Sequence, residues 1–237
     1  MTLWPHLADT RGKADRTPSW GTSAYLIHRD IGRSLASARD RYLRPGLRIL
    51  DVGCGTQPYY PLFADVATEY DGSDIEPGPR VKYVSPAEKL DAADRSYDLV
   101  LCTQVLHLVR RPQKALSEFA RVLEPGGYVF LTTHGVYPFH PNPTDYWRWT
   151  QQGLPALFDD VDGLELVQLE PHGGSATTFA VMINTPIREA SKALGAERLG
   201  APMIALVNLV AAAVDRALPK RARDAMIPNF LAVARRT

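Results

Sequence analysis

The chain has 237 residues, 45% of them hydrophobic, which is enough to bury a full core and reads as one domain with elaborations. A formal net charge of +1 gives no basic stripe for a nucleic-acid backbone to bind, so nucleic acid is excluded as a partner on charge. The only two cysteines, Cys54 and Cys102, fall in segments that read as buried and far apart, which suits a reducing cytoplasm and no disulfide or cysteine-based metal framework; no metal site is expected.

Residues 1 to 22 are polar and broken by Pro5, Gly12, Pro18 and Gly21, and they lack the basic start and apolar stretch of a secretory signal. Ser23 to Tyr42 reads as a helix with an apolar stripe at Leu26, Ile27, Ile31, Leu35 and Ala38, stopped by Pro45-Gly46. Strands are expected near 47–52, 69–74, 81–84, 97–103 and 127–133, alternating with helices near 59–66 and 112–123. Further strands are expected at Glu165 to Glu170 and from Phe230. Strand and helix in alternation mean a doubly wound, mostly parallel α/β sheet.

The first strand breaks into a glycine-rich turn, Leu50-Asp-Val-Gly-Cys-Gly55. Gly53 and Gly55 allow a tight turn with no Cβ in the way, at the carboxyl end of a strand, where ligands of open α/β sheets bind. A second strand closes on Asp74 about 20 residues later, the usual distance for an acid that accepts hydrogen bonds from ribose hydroxyls. The dinucleotide fingerprint G-x-G-x-x-G is not met, because Pro58 occupies the third glycine's slot. Asp51 beside the turn would repel a pyrophosphate but attract the ammonium and sulfonium of S-adenosylmethionine. At about 4 Å and an effective dielectric near 20 the difference is of order several kcal/mol.

With Asp74-Ile75, Ser96-Tyr-Asp-Leu-Val-Leu-Cys-Thr-Gln-Val-Leu-His107 and Ala120-Arg-Val-Leu-Glu-Pro-Gly-Gly127 in order behind the turn, the chain resembles a class I S-adenosylmethionine-dependent methyltransferase from Leu47 to about His134. The resemblance implies a seven-stranded Rossmann-like sheet whose last strand runs antiparallel between the fifth and sixth. It places Gly53, Cys54 and Gly55 under the methionine part of the cofactor, Asp74 on the ribose, Ile75 on the adenine face, Pro86, Ala87 and Glu88 against adenine, and Gln104 near the methionine. Pro86 stands where the family often has an aspartate. The reaction implied is a one-step displacement with nucleophile, methyl carbon and sulfur in line, for which the protein mainly supplies proximity and orientation.

On this reading residues 1–44 are an N-terminal segment and helix covering the cofactor site, and residues 45–237 are the methyltransferase domain. That domain carries an acceptor loop at 135–150 and a helical insertion at 175–220 before the last strand. The loop's His140-x-x-Pro-x-Asp145-Tyr146-Trp147-Arg148-Trp149-Thr150 is similar to that of a subgroup of bacterial small-molecule methyltransferases. Tyr146 and Trp147 can wall a pocket for a small-molecule, sugar or lipid-linked acceptor. Arg148 either binds an acceptor carboxylate or phosphate, or forms a structural ion pair with Asp145.

An alcohol acceptor would need a base, and His140, His107 and Asp145 are the candidates; a carboxylate acceptor would need none. Within the insertion, Ala201 to Val214 is apolar except for Asn208 and shorter than a spanning helix of about 20 residues. It reads as a helix buried or covered by a partner such as a second subunit. Lys220, Arg221 and Arg223 behind it leave a peripheral membrane contact open. A protein that binds S-adenosylmethionine without transferring its methyl group is the competing reading.

Overall fold

The computed structural model describes residues 19–139 and 144–237. Its elements in chain order are α1 (Tyr25–Tyr42), β1 (Leu47–Val52), α2 (Tyr60–Phe63), β2 (Ala67–Asp74), β3 (Tyr83–Val84), β4 (Tyr97–Thr103), a single 3₁₀ turn Leu106–Leu108, α3 (Pro112–Val122), β5 (Leu123–His134), α4 (Gly153–Asp159), β6 (Leu164–His172), α5 (Ser175–Ala193), α6 (Glu197–Ala217), α7 (Lys220–Arg223) and β7 (Asn229–Arg236). The strands form one sheet in the order β3-β2-β1-β4-β5-β7-β6. The pairs from β3 to β5 are parallel, and β7 runs antiparallel between β5 and β6, as expected. Order reverses between β1 and β4, so the crevice beyond their carboxyl ends is the place for a ligand.

The period-two alternation of each central strand feeds two cores. Leu50, Val52, Val100, Cys102, Val129 and Leu131 point to the face covered by α3 and α4, where Leu116, Phe119, Leu154 and Phe158 meet them. Ile49, Leu99, Leu101, Phe130, Leu231 and Val233 point to the other face, against Ile27, Ile31, Leu35 and Ala38 of α1. Each such fully buried aliphatic or aromatic side chain contributes about 1.5–3 kcal/mol by leaving water.

Three elements differ from expectation. The helix near 59–66 shrinks to one turn, since Pro61 can occupy only the first turn and the chain must reach β2 quickly. The fifth strand starts at Leu123 and not near 127, because Leu123 pairs with Tyr97 before the Pro125-Gly-Gly bend; pairing resumes at Leu99 with Tyr128. The insertion's second helix, expected as a 14-residue apolar segment buried or covered by a partner and too short to span a bilayer, is instead 21 residues long. By length and composition it could cross a membrane, and only 22% of its most apolar 18-residue window is buried.

Candidate active site

The glycine turn follows β1 at the switch point. Gly53 sits at φ +67° and Gly55 at φ +50°, the left-handed region where a Cβ is penalised. A Cβ on Gly53 would lie 2.2 Å from Val105 Cγ2, so the turn is also packed against the segment that follows β4. The backbone amides of Gly53 and Cys54 both donate to the Ser73 carbonyl, at 2.7 and 3.1 Å, and Gly55 N donates to Asp74 Oδ2 at 2.9 Å. Asp74 Oδ1 accepts from the Glu76 amide at 3.3 Å. The acid at the end of β2 therefore ties the turn to the neighbouring strand while keeping further lone pairs available.

Asp51 is buried at the end of β1. Its Oδ2 accepts from the Tyr70 hydroxyl at 2.9 Å, and its Oδ1 has no partner among the described residues. Burial raises its pKa to about 7; the Tyr70 hydrogen bond opposes the rise and the Asp74 charge adds to it. A buried carboxylate oxygen with spare capacity fits a cationic ligand. Cys54 has its thiol pushed up to about 12, first by burial and then by the Asp51 and Asp74 charges, so it is a packing residue and not a nucleophile. Of the residues expected against adenine, Ile75 is exposed, Ala87 is buried, Pro86 lies beside it, and Glu88 Oε1 accepts from the Arg111 amide at 3.3 Å.

At the end of β4, Gln104 holds φ +59°, uncommon for a side chain of its size. Its Nε2 donates to Thr132 Oγ1 at 2.9 Å and to Asn229 Oδ1 at 3.3 Å, and its Oε1 accepts from Asn229 Nδ2 at 3.1 Å. Asn229 also meets His134 Nδ1 at 3.2 Å and His172 Nδ1 at 3.0 Å, and His172 Nε2 meets Ser34 Oγ at 2.6 Å. Burial lowers the pKa of His172, which favours its neutral ring. His107 and His134 are buried with ring centroids 4.0 Å apart, and Tyr137 stacks on His134 at 3.8 Å.

The described part of the 135–150 loop, expected to hold the acceptor, is pinned to these strand ends. The Tyr146 and Trp147 amides donate to the His107 carbonyl, the Trp149 amide donates to the His134 carbonyl, and Trp147 Nε1 donates to the Val109 carbonyl. The Asp145 side chain is buried and paired to Arg148 through both oxygens at 2.5 Å. The remaining Arg148 donors go to the carbonyls of Tyr137, Pro138 and Trp147, so all five N–H groups are spent inside the loop. Of the two expectations for Arg148, the ion pair is the one seen. Tyr146 and Trp147 stay exposed, with Trp147 and Trp149 stacked at 5.6 Å. His140 lies outside the described residues.

His134, Asn229, His172 and Ser34 belong to no motif in the sequence. Position could have found the first two: His134 closes a parallel strand at its carboxyl end and Asn229 opens the antiparallel strand beside it, where ligands gather in such sheets.

A doubly wound sheet with a glycine turn flanked by acids at the ends of β1 and β2, at its switch point, defines the class I S-adenosylmethionine-dependent methyltransferase architecture. The family model described as "Methyltransferase domain" matches residues 25–164, and the chain belongs to that family. It is 32% identical to a demethylmenaquinone methyltransferase of Renibacterium salmoninarum, over 48% of this chain and 52% of that one. It is 30% identical to a ubiquinone biosynthesis O-methyltransferase of Burkholderia thailandensis, over 53% and 68%. The chain thus spans about half to two thirds of the length of these relatives. Among solved structures, the [4+2]-cyclase SpnF shares the fold with a TM-score of 0.58 at 21% identity, over 98% of this chain and 86% of that one. An S-adenosylmethionine-dependent methyltransferase from Mesorhizobium loti shares it at 0.52 and 18%, over 84% and 96%. The family implies S-adenosylmethionine as methyl donor. The buried Asp51 Oδ1 and the cradle at Gly53 fit that cation.

Proposed function

We propose that this protein moves a methyl group from S-adenosylmethionine to an oxygen of a small-molecule, sugar or lipid-linked acceptor held beneath the 135–150 loop. The observation that carries the reading is the convergence, at the ends of β4 and β5, of the His107 and His134 imidazoles beside Gln104, under a loop fastened to the backbone of both histidines. The bound cofactor supplies a methyl group already activated on a sulfonium. The chain's own tasks are then to hold, to orient and to take a proton.

Asp74 accepts the ribose hydroxyls, Gly53 to Gly55 pass under the methionine, and Asp51 draws the cofactor's positive groups. Ile75 covers one adenine face and Pro86, Ala87 and Glu88 border the other. Gln104 steers the methionine end. Tyr146 and Trp147 wall the acceptor, and the Arg148 clamp on Asp145 keeps that wall in place. His107 takes the hydroxyl proton, with His140 as the other imidazole candidate. An oxygen acceptor agrees with the O-methyltransferase among the relatives, and the loop's similarity to bacterial small-molecule methyltransferases supports a small acceptor.

The test is to incubate the protein with S-adenosylmethionine and fractions of cell extract and to measure S-adenosylhomocysteine. Fraction-dependent release is expected. Tight cofactor binding with no release on any fraction would sink the reading in favour of a non-transferring binder.

A further inference from the structure

Helix α6 has two unlike sides. Toward the body it presents Gly200, Ile204, Asn208, Ala211 and Asp215, spaced three or four residues apart and buried. Away from it Leu199, Met203, Leu206, Leu209 and Val210 stand at 53–71% exposure. No charged residue occurs from Leu199 to Val214. The neighbouring helix α5 adds exposed Phe179 and Ile183, and an apolar depression of about 270 Å³ lies between Trp20 and Ala205, Leu206 and Leu209. Apolar surface gathered on this scale is unusual on a soluble monomer and marks a contact.

Basic groups frame the apolar flank. Arg198 precedes it and Arg216 follows it, then Lys220 and Arg221; all four are exposed and form no ion pair among the described residues. Nearby acids are mostly engaged. Asp215 is buried, accepting from the Ala176 and Thr177 amides and the Thr177 hydroxyl; Asp224 pairs with Arg223 and Glu189 with Arg188. Glu197 remains, in the first turn of α6, where it complements the helix dipole.

We propose that α6 is a lipid-docking helix that lies in the plane of an anionic bilayer surface, its apolar flank among the acyl chains and Arg198, Arg216, Lys220 and Arg221 at the headgroups. Crossing the bilayer is disfavoured by the buried side. Asn208 accepts from Asn184 and donates to the Trp20 and Thr22 carbonyls, and Asp215 holds the start of α5, so spanning would break both sets of bonds. A second copy is disfavoured by charge. An antiparallel two-fold contact centred on the apolar stretch sets Arg198 near Arg216 of the other copy, and a parallel one sets each arginine against its twin. The inference is independent of the reaction proposed above.

The experiment is co-sedimentation of the full chain with phosphatidylcholine vesicles, with and without phosphatidylglycerol. Binding to the anionic vesicles is expected, weakening as salt rises. Leu206→Glu combined with Leu209→Glu should abolish it, with the fold checked by circular dichroism; both side chains are exposed. Arg216→Gln and Lys220→Gln should each lower partitioning about fivefold. No binding by the unmodified protein, or binding untouched by the paired glutamates, overturns the proposal. So does a concentration-dependent dimer in sedimentation velocity that the same glutamates dissolve while vesicles capture nothing.

Discussion

Gln104 and Asn229, far apart in sequence, face each other amide to amide at the carboxyl end of β4 and the start of β7, exchanging hydrogen bonds of 3.3 and 3.1 Å. Through Asn229 this exchange joins Gln104 to His134 on one branch and, through His172, to Ser34 of α1 on the other. It also supports Gln104 in its positive-φ backbone. A network of this kind is stabilising only when every member is satisfied.

Asn229→Ala should therefore cost more than one hydrogen bond. At about 1–3 kcal/mol for each buried partner left unsatisfied, a loss of roughly 3 kcal/mol is expected, read as a lower urea midpoint at unchanged slope. Asn229→Asp should not rescue it, because a carboxylate has no N–H to replace the Nδ2 group that meets Gln104 Oε1 and His134 Nδ1. Stability equal to the unmodified protein would show that the network is replaceable by packing.

Asp74→Ala should weaken S-adenosylmethionine binding by about 1.5–3 kcal/mol, the range for hydrogen bonds to a charged group. The same change removes the acceptor for the Gly55 amide, so Asp74→Asn is the more selective variant: its Oδ1 can still take that bond while the charge is gone. Calorimetry showing unchanged affinity in both folded variants would remove Asp74 from the ribose site.

What could be read from the sequence was whatever rests on local pattern. Strand alternation gave the parallel core and Leu50-Asp-Val-Gly-Cys-Gly55 the switch-point turn, because period and glycine placement are local properties. The likeness to known methyltransferases supplied the antiparallel place of the last strand. Contacts between distant segments were less legible. That Gly53 must also clear Val105 depends on how two turns stack. A bulky residue there is consequently expected to disturb the fold as well as the cofactor surface. Asp145 and Arg148 were visible as a pair, but the five-fold saturation of the guanidinium needs carbonyls aimed by the loop's three-dimensional path. The exposed flank of α6 was hidden for a similar reason: an apolar run without clear periodicity does not say which side meets the body.

Asp51 should give cofactor binding a pH dependence. With its pKa raised to about 7 by burial, the carboxyl is largely protonated at pH 6 and ionised at pH 8, so affinity for the cationic cofactor should rise across that interval. The ligand-free protein should respond the other way. An acid whose folded pKa lies above its unfolded value of 3.8 stabilises the fold at low pH, and this stability is lost as pH rises from about 4 to about 7. Comparing Asp51→Asn with the unmodified protein isolates the effect from the buried histidines His28 and His172, whose lowered pKa values act in the opposite sense. Parallel pH profiles for the two proteins would remove Asp51 as the titrating group.

Arg148→Lys should loosen the acceptor loop. Lysine keeps a charge beside the buried Asp145 carboxylate and can replace one contact of the planar fork, but it cannot reproduce the bidentate grip or the bonds to the Tyr137, Pro138 and Trp147 carbonyls, so the loss should fall below the roughly 3–5 kcal/mol of removing one partner outright. The expected result is a lower Tm and a raised KM for the acceptor with S-adenosylmethionine affinity unchanged. An unchanged acceptor KM would place the loop outside the acceptor site.

His107 and His140 can be told apart as the base. If the acceptor is an alcohol and His107 removes its proton, His107→Gln should lower kcat by about 10² to 10⁴ while leaving cofactor affinity intact, because the base acts on the acceptor. The substitution keeps the backbone carbonyl that fastens Tyr146 and Trp147, so loop position is preserved and the loss reports chemistry. Activity of the unmodified enzyme should fall as pH drops through the histidine pKa, and the variant should lack that limb. His140→Ala should then cost less than tenfold; a reversal of the two losses would move the base to His140. Full turnover and an unaltered pH profile in both variants would leave Asp145 or an acceptor already ionised in solution. The second alternative can be distinguished by trying a carboxylate acceptor, for which neither histidine should matter.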